Sequence, residues 1–297
     1  TRMAQRALLI AGPTASGKTA MAIARSADEK SLIINTDSMQ VYDVLNIISA
    51  RPNSEELAQA PHRMYGYVPP ATRFSTGAWL RDVDALIQQE GADYQKLIFV
   101  GGTGLYFDAL INGFAQIPEI PNEVIQQVEE VIQPLDAQGR AKLLAEKDPE
   151  MAKRLQAPDP QRVARAISVI EATNKSLAQW QDEPNEPSIV QGYDIEKIVL
   201  NPERDVLRER IALRFKLMMQ AGAIEEVEAI NALDLDPTLP AMRAIGVPEI
   251  SAYLRGEMDL EEATEKSIIA THQYAKRQRT WFRNRMIDWQ WIDPLAV

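Results

Sequence analysis

The chain has 297 residues, of which 45% are hydrophobic and 25% charged, a balance ordinary for a globular protein with a sizeable core. It contains no cysteine and only two histidines, which excludes disulfides, thiolate metal sites and cysteine nucleophiles and disfavours a histidine metal site. The net charge of −10 argues against a nucleic-acid partner, yet residues 266–287 contain six basic residues and no acidic one. Residues 1–5 lead directly into an apolar run too short to cross a bilayer, so we expect a cytoplasmic protein with no membrane partner.

Residues 8–20, LLIAGPTASGKTA, contain an apolar strand, a loop and the start of a helix. Gly12, Gly17, Lys18 and Thr19 match the phosphate-loop pattern G-x-x-x-x-G-K-[ST] in the strand–loop–helix context that this pattern requires. Backbone N–H groups and the helix N-terminus are predicted to hold a phosphate, with Lys18 on its oxygens and Thr19 able to bind Mg²⁺. A chance match in a turn is the alternative. The loop alone does not say which phosphate ester or anhydride is bound.

Short apolar runs bounded by turn residues predict three parallel core strands, at residues 7–11, 32–35 and 97–100. A helix over residues 18–27 has the length of a crossover between the first two strands. The three strands end at the phosphate loop, at residues 36–38 and at residues 101–104. Because ligands of open α/β sheets collect at the carboxyl ends of the strands, these three loops are predicted to surround one site.

The rest of the chain is predicted to be mainly helical, with one returning strand at residues 195–200. The helical segments are residues 74–90, 105–112, 123–190, 205–233 with a break at Gly222, 250–254 and 263–289. Pro-rich stretches at 117–121 and 182–188 frame the long helical segment. We therefore predict an α/β fold, with a P-loop NTPase-like parallel sheet and flanking helices formed by residues 1–116 and 190–297, and a helical insertion domain formed by residues 117–189.

Asp37 is the first candidate for chemistry, because it follows an apolar strand and its carboxylate is expected to face the phosphate loop. It suits either a Mg²⁺ ligand or a general base that takes a proton from an acceptor nucleophile. The alternative is a turn cap. Downstream, the glycines of residues 101–104 allow a close approach of backbone to a ligand and place the Thr103 hydroxyl there.

Two arginines, Arg162 and Arg165, lie on neighbouring turns of one predicted helix. A surface face paired with local acids is the usual explanation of such a pair, and phosphate contact is the alternative. Four arginines of the later helix are solvated charges by default, although the second or the fourth could reach a diphosphate: Arg204, Arg208, Arg210 and Arg214.

Residues 276–283, KRQRTWFR, interleave cations with aromatic rings, a composition suited to RNA loops. A basic helix that closes the core, with Trp281 and Phe282 buried, is the alternative. None of these motifs names an activity by itself.

Taken together and in this order, the motifs resemble the bacterial tRNA dimethylallyltransferase family, also called tRNA isopentenyltransferase. The resemblance covers nearly the whole chain and rests on GPTASGKT at 12–19, DSMQVY at 37–42, GGTGLYF at 101–107, QRVARAISVIEAT at 161–173, RAIGVPEI at 243–250 and QYAKRQRTWFRNR at 273–285. It implies a prenyltransferase that moves a dimethylallyl group from dimethylallyl diphosphate to N6 of the adenosine immediately 3′ of a tRNA anticodon, with Mg²⁺ as cofactor. The implied partners are the tRNA anticodon stem-loop and the donor, and we expect a monomer.

The resemblance also implies roles for individual residues. Asp37 would be the base on the N6 amino group, with Lys18 and Thr103 at the reaction centre. The diphosphate would be held by Gly12, Pro13, Thr14, Ala15, Ser16, Gly17, Lys18 and Thr19, and Thr19 would also hold the metal. The tRNA would be contacted by Asp37, Ser38, Met39, Gln40, Thr103, Gln161, Arg162, Val163, Ala164, Arg165, Arg243, Lys276, Arg277, Gln278, Trp281 and Arg283.

Four segments depart from the usual family pattern: Ser49-Ala50-Arg51-Pro52 stands for Thr-Ala-Lys-Pro, His62-Arg63-Met64 for His-His-Leu, Gly246-Val247-Pro248-Glu249 for Gly-Tyr-Lys-Glu, and Thr271-His272-Gln273 for Thr-Arg-Gln. The first change keeps a hydroxyl and a cation, and the others remove a tyrosine and a basic group from the expected RNA surface. Two further classes remain open on the residues alone, a P-loop kinase of a small metabolite and a non-catalytic RNA-binding ATPase switch. Against the kinase, only the strand before Asp37 ends in the apolar run plus acid expected of a metal-binding strand.

Overall fold

The computed structural model describes residues 4–115, 117–155 and 159–295. The chain divides into two compact units, which we call the core unit, Thr1–Ile111 with Val190–Val297, and the insertion unit, Asn112–Ile189. The first boundary in this division lies at Asn112, where the preceding helix ends, whereas the Pro-rich stretch in the sequence indicates 117.

A six-stranded parallel sheet, counted over the described residues, forms the centre of the core unit. Its strands are β1 (Arg6–Ala11), β2 (Ser31–Asn35), β3 (His62–Arg63), β4 (Lys96–Gly101), β5 (Asp194–Leu200) and β6 (Gln290–Ile292), in the spatial order β3-β2-β4-β1-β5-β6. The four predicted strands are confirmed as β1, β2, β4 and β5. Strands β1, β2 and β4 are almost entirely buried, as expected of parallel strands covered on both faces.

Helices fill the remainder of both units. In chain order they are α1 (Lys18–Ser26), α2 (Ser54–Gln59), α3 (Thr76–Glu90), α4 (Gly104–Asn112), α5 (Asn122–Ile132), α6 (Ala137–Lys147), α7 (Pro149–Arg154), α8 (Pro160–Thr173), α9 (Leu177–Asp182), α10 (Arg204–Ala221), α11 (Ala223–Asn231), α12 (Val247–Leu254) and α13 (Leu260–Arg285). Single-turn 3₁₀ helices span Gly91–Asp93 and Pro240–Arg243. Among the described residues, no helix is both long and apolar enough to cross a bilayer.

Among the described residues of the core unit, one apolar cluster lies on a face of the sheet and another lies beside the sheet. On one face of the sheet, alternate residues of β1 such as Leu8 and Ile10 pack with Ala22 of α1. The second cluster joins the loop after β2, including Tyr42 and Leu45, to helices α10–α13. Helices α10 and α13 therefore pack, through this second cluster, with the loop after β2.

The insertion unit has an apolar core of its own, to which Val128, Leu144, Met151 and Ile167 contribute. The Ser176 hydroxyl oxygen lies 2.8 and 2.9 Å from the two carboxylate oxygens of the buried Asp148. The same carboxylate accepts a hydrogen bond from the Met151 N–H and so caps α7. The segment after Asp182 is not helical, although the sequence predicted helix up to 190.

The predicted end of the last helix was also too late in the chain. Helix α13 ends at Arg285 rather than at 289, because the chain turns there into the edge strand β6. Met286 and Trp289, just past that end, are buried, so their hydrophobic character extends the apolar pattern beyond the helix itself.

Candidate active site

The phosphate loop, residues 12–19, connects β1 to α1 and has a left-handed backbone at two positions. Gly17 has φ 90° and Ala15 has φ 61°, a conformation that costs a non-glycine residue about 1 kcal/mol and that tends to occur at ligand clamps. Gly12 is required by space, since a Cβ there would lie 2.6 Å from Ser16 Oγ and 3.1 Å from the Leu200 Cβ. The buried Ser16 hydroxyl has no hydrogen-bond partner among the described residues. These features are typical of a loop whose polar groups bind an anion.

Lys18 begins helix α1 and turns its ammonium back over the loop. Its Nζ donates to the carbonyls of Gly12 and Pro13, both at 2.8 Å. Burial lowers the pKa of Lys18 to about 8, while the nearby Asp37 charge raises it and the Arg214 charge lowers it further. An anion bound here would restore the full charge of Lys18.

Asp37 uses its two carboxylate oxygens differently. Oδ1 accepts hydrogen bonds from the N–H groups of Met39 at 2.8 Å and Gln40 at 3.2 Å, which is the turn cap considered from the sequence. Oδ2 accepts none from the described residues and points toward Gly102, where a Cβ would lie 3.5 Å away. The cap therefore leaves one oxygen available for chemistry.

The loops after β1, β2 and β4 meet at this point. The Thr103 hydroxyl accepts from the Ser38 N–H at 2.9 Å, and the Thr103 N–H donates to the Thr36 carbonyl at 3.3 Å. A Cβ on Gly102 would lie 3.3 Å from the Gly12 carbonyl, so the glycine permits the close contact between the loops after β4 and β1. The predicted convergence of the three strand ends is what the structure contains.

Helix α10 brings two arginines to the phosphate loop. Arg210 Nη1 lies 3.9 Å from the position of a Cβ on Gly17. Arg214, one turn later, is close enough to Lys18 and Asp37 for their charges to interact, and burial lowers its pKa. Neither guanidinium makes a hydrogen bond or ion pair with a described residue. In the sequence analysis, Arg214 was considered as a residue that could reach a diphosphate, and Arg210 was not. Arg208 was also considered there, and its side chain is exposed.

A cavity of about 860 Å³ opens beside the Asp37 centre. Arg214 and Tyr65 line it and also interact with the Asp37 charge; burial, together with that charge, raises the pKa of Tyr65. Its wall includes residues 46, 47 and 50–54. The Gln40 amide nitrogen holds this segment by donating to the carbonyls of Ser49 and Ala50 at 3.0 and 3.1 Å. The cavity is therefore lined by the cation of Arg214 and by the segment that Gln40 holds in place.

Glu226 of α11 holds the same wall from the other side. Its Oε1 accepts from the N–H groups of Asn46 and Ile47, both at 2.9 Å, and its Oε2 accepts from Ile48 at 2.8 Å. Because Glu226→Ala would leave three amides without this acceptor, we expect the free energy of unfolding to fall by about 2 kcal/mol in denaturant titrations. Glu228→Ala, on the exposed side of α11, should change it by less than about 0.5 kcal/mol. Equal effects of the two changes would contradict a clamp at Glu226.

The predicted RNA-contacting residues of the core unit divide into exposed and buried groups. Arg243, Lys276, Arg277 and Arg283 are exposed and form no ion pair with a described residue. Trp281 is only half exposed, because its ring packs on the start of α4: a Cβ on Gly104 would lie 2.3 Å from Cε3. The helix thus has exposed cations on one side, while Arg279 and Phe282 are buried, as the core-closing interpretation predicts for Phe282.

Gln278 is a correction to the predicted RNA surface. Its side chain is 6% exposed and bonds to two loops of the core unit, so it is not available to RNA. The sequence motif alone does not show that Gln278 is buried. The residue directly follows two exposed cations, but its side chain lies on the buried side of α13.

In the insertion unit, Gln161, Arg162 and Arg165 are exposed on α8. Neither arginine pairs with an acid among the described residues, which removes the usual structural explanation for the pair. Val163 is a second correction, since it is 0% exposed in the apolar core of the unit, and Ala164 packs against that core. A helix must bury one face, and Val163 lies on it.

The segments that depart from the family pattern have structural roles. Val247 is buried and Pro248 occupies the first turn of α12, where proline is well tolerated. His272 lies with Nε2 3.3 Å from the Arg208 carbonyl. His62, in β3, has its Nδ1 2.7 Å from the Ala60 carbonyl, and burial lowers its pKa.

A parallel sheet with a phosphate loop, a free carboxylate oxygen and unpaired arginines around one point defines a P-loop-type enzyme acting on a phosphate ester or anhydride. Comparison with known proteins gives the particular group. The family profile described as IPP transferase matches residues 40–285, and that described as isopentenyl transferase matches residues 5–67. The chain belongs to the tRNA dimethylallyltransferase family.

Individual relatives match nearly the whole of this chain. A tRNA dimethylallyltransferase of Chelativorans sp. (strain BNC1) is 48% identical over 289 residues, which is 97% of this chain and 99% of that protein. The crystal structure of a full-length tRNA isopentenylpyrophosphate transferase from Bacillus halodurans is 30% identical, has a TM-score of 0.68 and is matched over 97% of this chain and 90% of its own. A eukaryotic dimethylallyltransferase acting on tRNA has a TM-score of 0.79 at 23% identity, covering 97% and 74% of the two chains, and supports the fold. The family resemblance and the predicted fold class are confirmed.

Proposed function

We propose that this protein transfers the dimethylallyl group of dimethylallyl diphosphate to N6 of the adenosine immediately 3′ of a tRNA anticodon. Family membership supports tRNA prenylation. The single observation that carries the chemistry is the free Oδ2 of Asp37 beside the phosphate loop. A nucleobase reaching this point would have to leave the base stack.

The reaction needs one proton acceptor and one stabilised leaving group. As the C–N bond to N6 forms, the C–O bond of the donor breaks, an N6 proton passes to Asp37 Oδ2, and diphosphate departs. The neutral adenine amine is a weak nucleophile, so removal of its proton during bond formation lowers the barrier. Thr103 and the Asp37 cap orient the carboxylate by holding the loop after β2.

The leaving diphosphate gains negative charge, and the cations at the phosphate loop oppose it. Lys18, Arg210 and Arg214 supply that charge, together with loop N–H groups, and stabilise the transition state more than the ground state. The Ser16 hydroxyl, unsatisfied among the described residues, would donate to an oxygen of the diphosphate.

A bound Mg²⁺ fits the loop through the Thr19 hydroxyl, which makes no side-chain hydrogen bond among the described residues. No group of three Asp, Glu or His side chains within those residues could hold a metal, so the ion would take its other ligands from diphosphate and water. When bound, it would neutralise the diphosphate charge.

The cavity beside Arg214 suits the donor, because cations line its inner end and apolar groups such as Met64 and Leu217 line it elsewhere. The acceptor would then approach from the side of the exposed cations on α13. Such an arrangement keeps the allylic carbon between the two substrates and away from water.

The direct test incubates the protein with Mg²⁺, carbon-labelled dimethylallyl diphosphate and an anticodon stem-loop carrying adenosine 3′ of the anticodon. We expect label in this RNA and none in a matched RNA with guanosine at that position. Absence of label, together with phosphate transfer from ATP to a small acceptor, would instead establish a kinase and overturn the proposal.

Arg162 and Arg165 provide a separate prediction about RNA binding. Each neutralised phosphate contributes to the salt dependence of affinity, so Arg162→Ala with Arg165→Ala should weaken stem-loop binding about tenfold and reduce the slope of log affinity against log salt by about 1–2. Arg154→Ala is the matched control, because Arg154 is already paired with Asp182 at 2.6 Å. Filter binding over a salt series measures both quantities. If the slope did not change, the two arginines would be solvated surface charges that contact no phosphate.

A further inference from the structure

Gln278 lies on α13, directly after the exposed cations Lys276 and Arg277, and is buried. Its Oε1 accepts a hydrogen bond from the Thr14 N–H at 3.1 Å, and its Nε2 donates to the Gly102 carbonyl at 3.0 Å. Since one partner is a donor and the other an acceptor, the orientation of the amide is determined. One side chain thus ties the phosphate loop to the loop after β4.

The space around this bridge is tight. A Cβ on Gly102 would lie 2.4 Å from Gln278 Nε2, 3.3 Å from the Gly12 carbonyl and 3.5 Å from Asp37 Oδ2. The bridge therefore touches the phosphate loop on one side and, through Gly102, borders the proposed base on the other. The bridge thus holds Gly102, which borders Asp37 Oδ2, at a fixed spacing from the phosphate loop.

We propose that Gln278 is a positioning residue that sets the spacing between the donor loop and Asp37 and couples it to helix α13. The inference rests on the proposed function for the identity of the donor and acceptor. Gln278 touches neither reacting atom and acts through Thr14 and Gly102.

This role predicts a split between the two substrates. Gln278→Met keeps the length of the side chain but removes both hydrogen bonds, leaving the Thr14 N–H and the Gly102 carbonyl without this partner. We expect the dissociation constant of Mg²⁺–pyrophosphate to rise about tenfold and kcat to fall about tenfold or more. Stem-loop affinity should stay within about twofold, because Gln278 contacts no RNA. A direct RNA contact would give the opposite split.

Gln278→Glu supplies a readout that a purely structural role would not move. Its carboxylate can still accept from the Thr14 N–H but cannot donate to the Gly102 carbonyl while it is ionised. Burial and the Asp37 charge favour the neutral form of this carboxyl, whereas the nearby cations of Lys18 and Arg214 oppose them. Once protonated, it donates again. The activity of Gln278→Glu divided by that of the unmodified protein should therefore rise as the pH falls from about 8 to about 6.

The experiment measures Mg²⁺–pyrophosphate binding by calorimetry and stem-loop binding by filter assay in the unmodified protein, Gln278→Met, Gln278→Glu and the control Gln273→Met, which is exposed on the same helix. Weakened pyrophosphate binding in Gln278→Met alone, with unchanged RNA binding and a pH-dependent recovery in Gln278→Glu, supports the bridge. Unchanged pyrophosphate binding, or lost RNA binding, overturns it. Failure of the unmodified protein to bind pyrophosphate would instead count against the proposed function.

Discussion

Asp37→Asn should reduce prenyl transfer by about 10³-fold while leaving stem-loop affinity within about threefold. The substitution is chosen because the asparagine carbonyl can still accept the Met39 and Gln40 N–H groups, which keeps the turn that Oδ1 caps. Only the charge and the basicity of the second oxygen are lost. Single-turnover rates with saturating donor and RNA measure the effect on the chemical step.

A matched control and a contrasting variant sharpen the test of Asp37. Asp28→Asn, on an exposed carboxylate in the turn after α1, should leave transfer unchanged. Asp37→Ala should lose transfer and also stability, because the cap is removed as well. If Asp37→Asn kept transfer within about tenfold of the unmodified protein, or lost RNA binding by as much as transfer, a base role would be contradicted.

Lys18→Met should lower kcat/KM for the donor by about 10²–10³-fold, because a buried cation at the leaving group is removed. The same residue predicts a pH dependence. Bound diphosphate favours the protonated amine and raises its pKa above the value of about 8 in the free protein. The contribution of Lys18 to affinity is therefore fully present below pH 8 and is lost as the pH rises through and above that value.

Calorimetric titration with pyrophosphate across this range tests the prediction for Lys18. Relative to Lys18→Met, the affinity of the unmodified protein should fall by up to tenfold per pH unit above about 8, and the titration of pyrophosphate itself is common to both proteins. Lys216→Met, on an exposed lysine of α10, should follow the unmodified protein. Parallel curves for the unmodified protein and Lys18→Met would show that Lys18 carries no titrating charge in the site.

Local sequence signals sufficed for the sheet centre and the phosphate loop. Strands β1, β2 and β4 are continuous apolar runs because both faces are covered, and such runs are visible in the sequence. The edge strands β3 and β6 have two and three residues and no apolar pattern, so nothing in the sequence distinguished them from loops. Their positions depend on pairing with β2 and β5.

The sequence predicted the parts of the candidate site that lie at the ends of strands. It did not predict the residues that helices distant in sequence contribute. The meeting of Asp37 and Thr103 with the loop followed from parallel topology alone. Arg210 and Glu226 reach the site through the packing of α10 and α11 on the second apolar cluster, which is a tertiary arrangement. Val163 and Gln278 were assigned to tRNA contact because the family resemblance implies it for the motifs that contain them. Which side of each helix faces the core is a tertiary property, and both residues lie on the buried side.

The two roles of Asp37 show why the sequence alternatives were not exclusive. A turn cap and a base compete for the same residue when only the motif is considered. In the structure the cap uses Oδ1 alone, which leaves Oδ2 for the proposed base role.

The most direct measurement of the central claim is the product balance of a single turnover with dimethylallyl diphosphate and the anticodon stem-loop. One diphosphate should be released for each adenosine alkylated at N6, as determined by nucleoside mass spectrometry alongside a pyrophosphate assay. Release of diphosphate without N6-alkylated adenosine, or alkylation at another atom or nucleotide, would contradict the account.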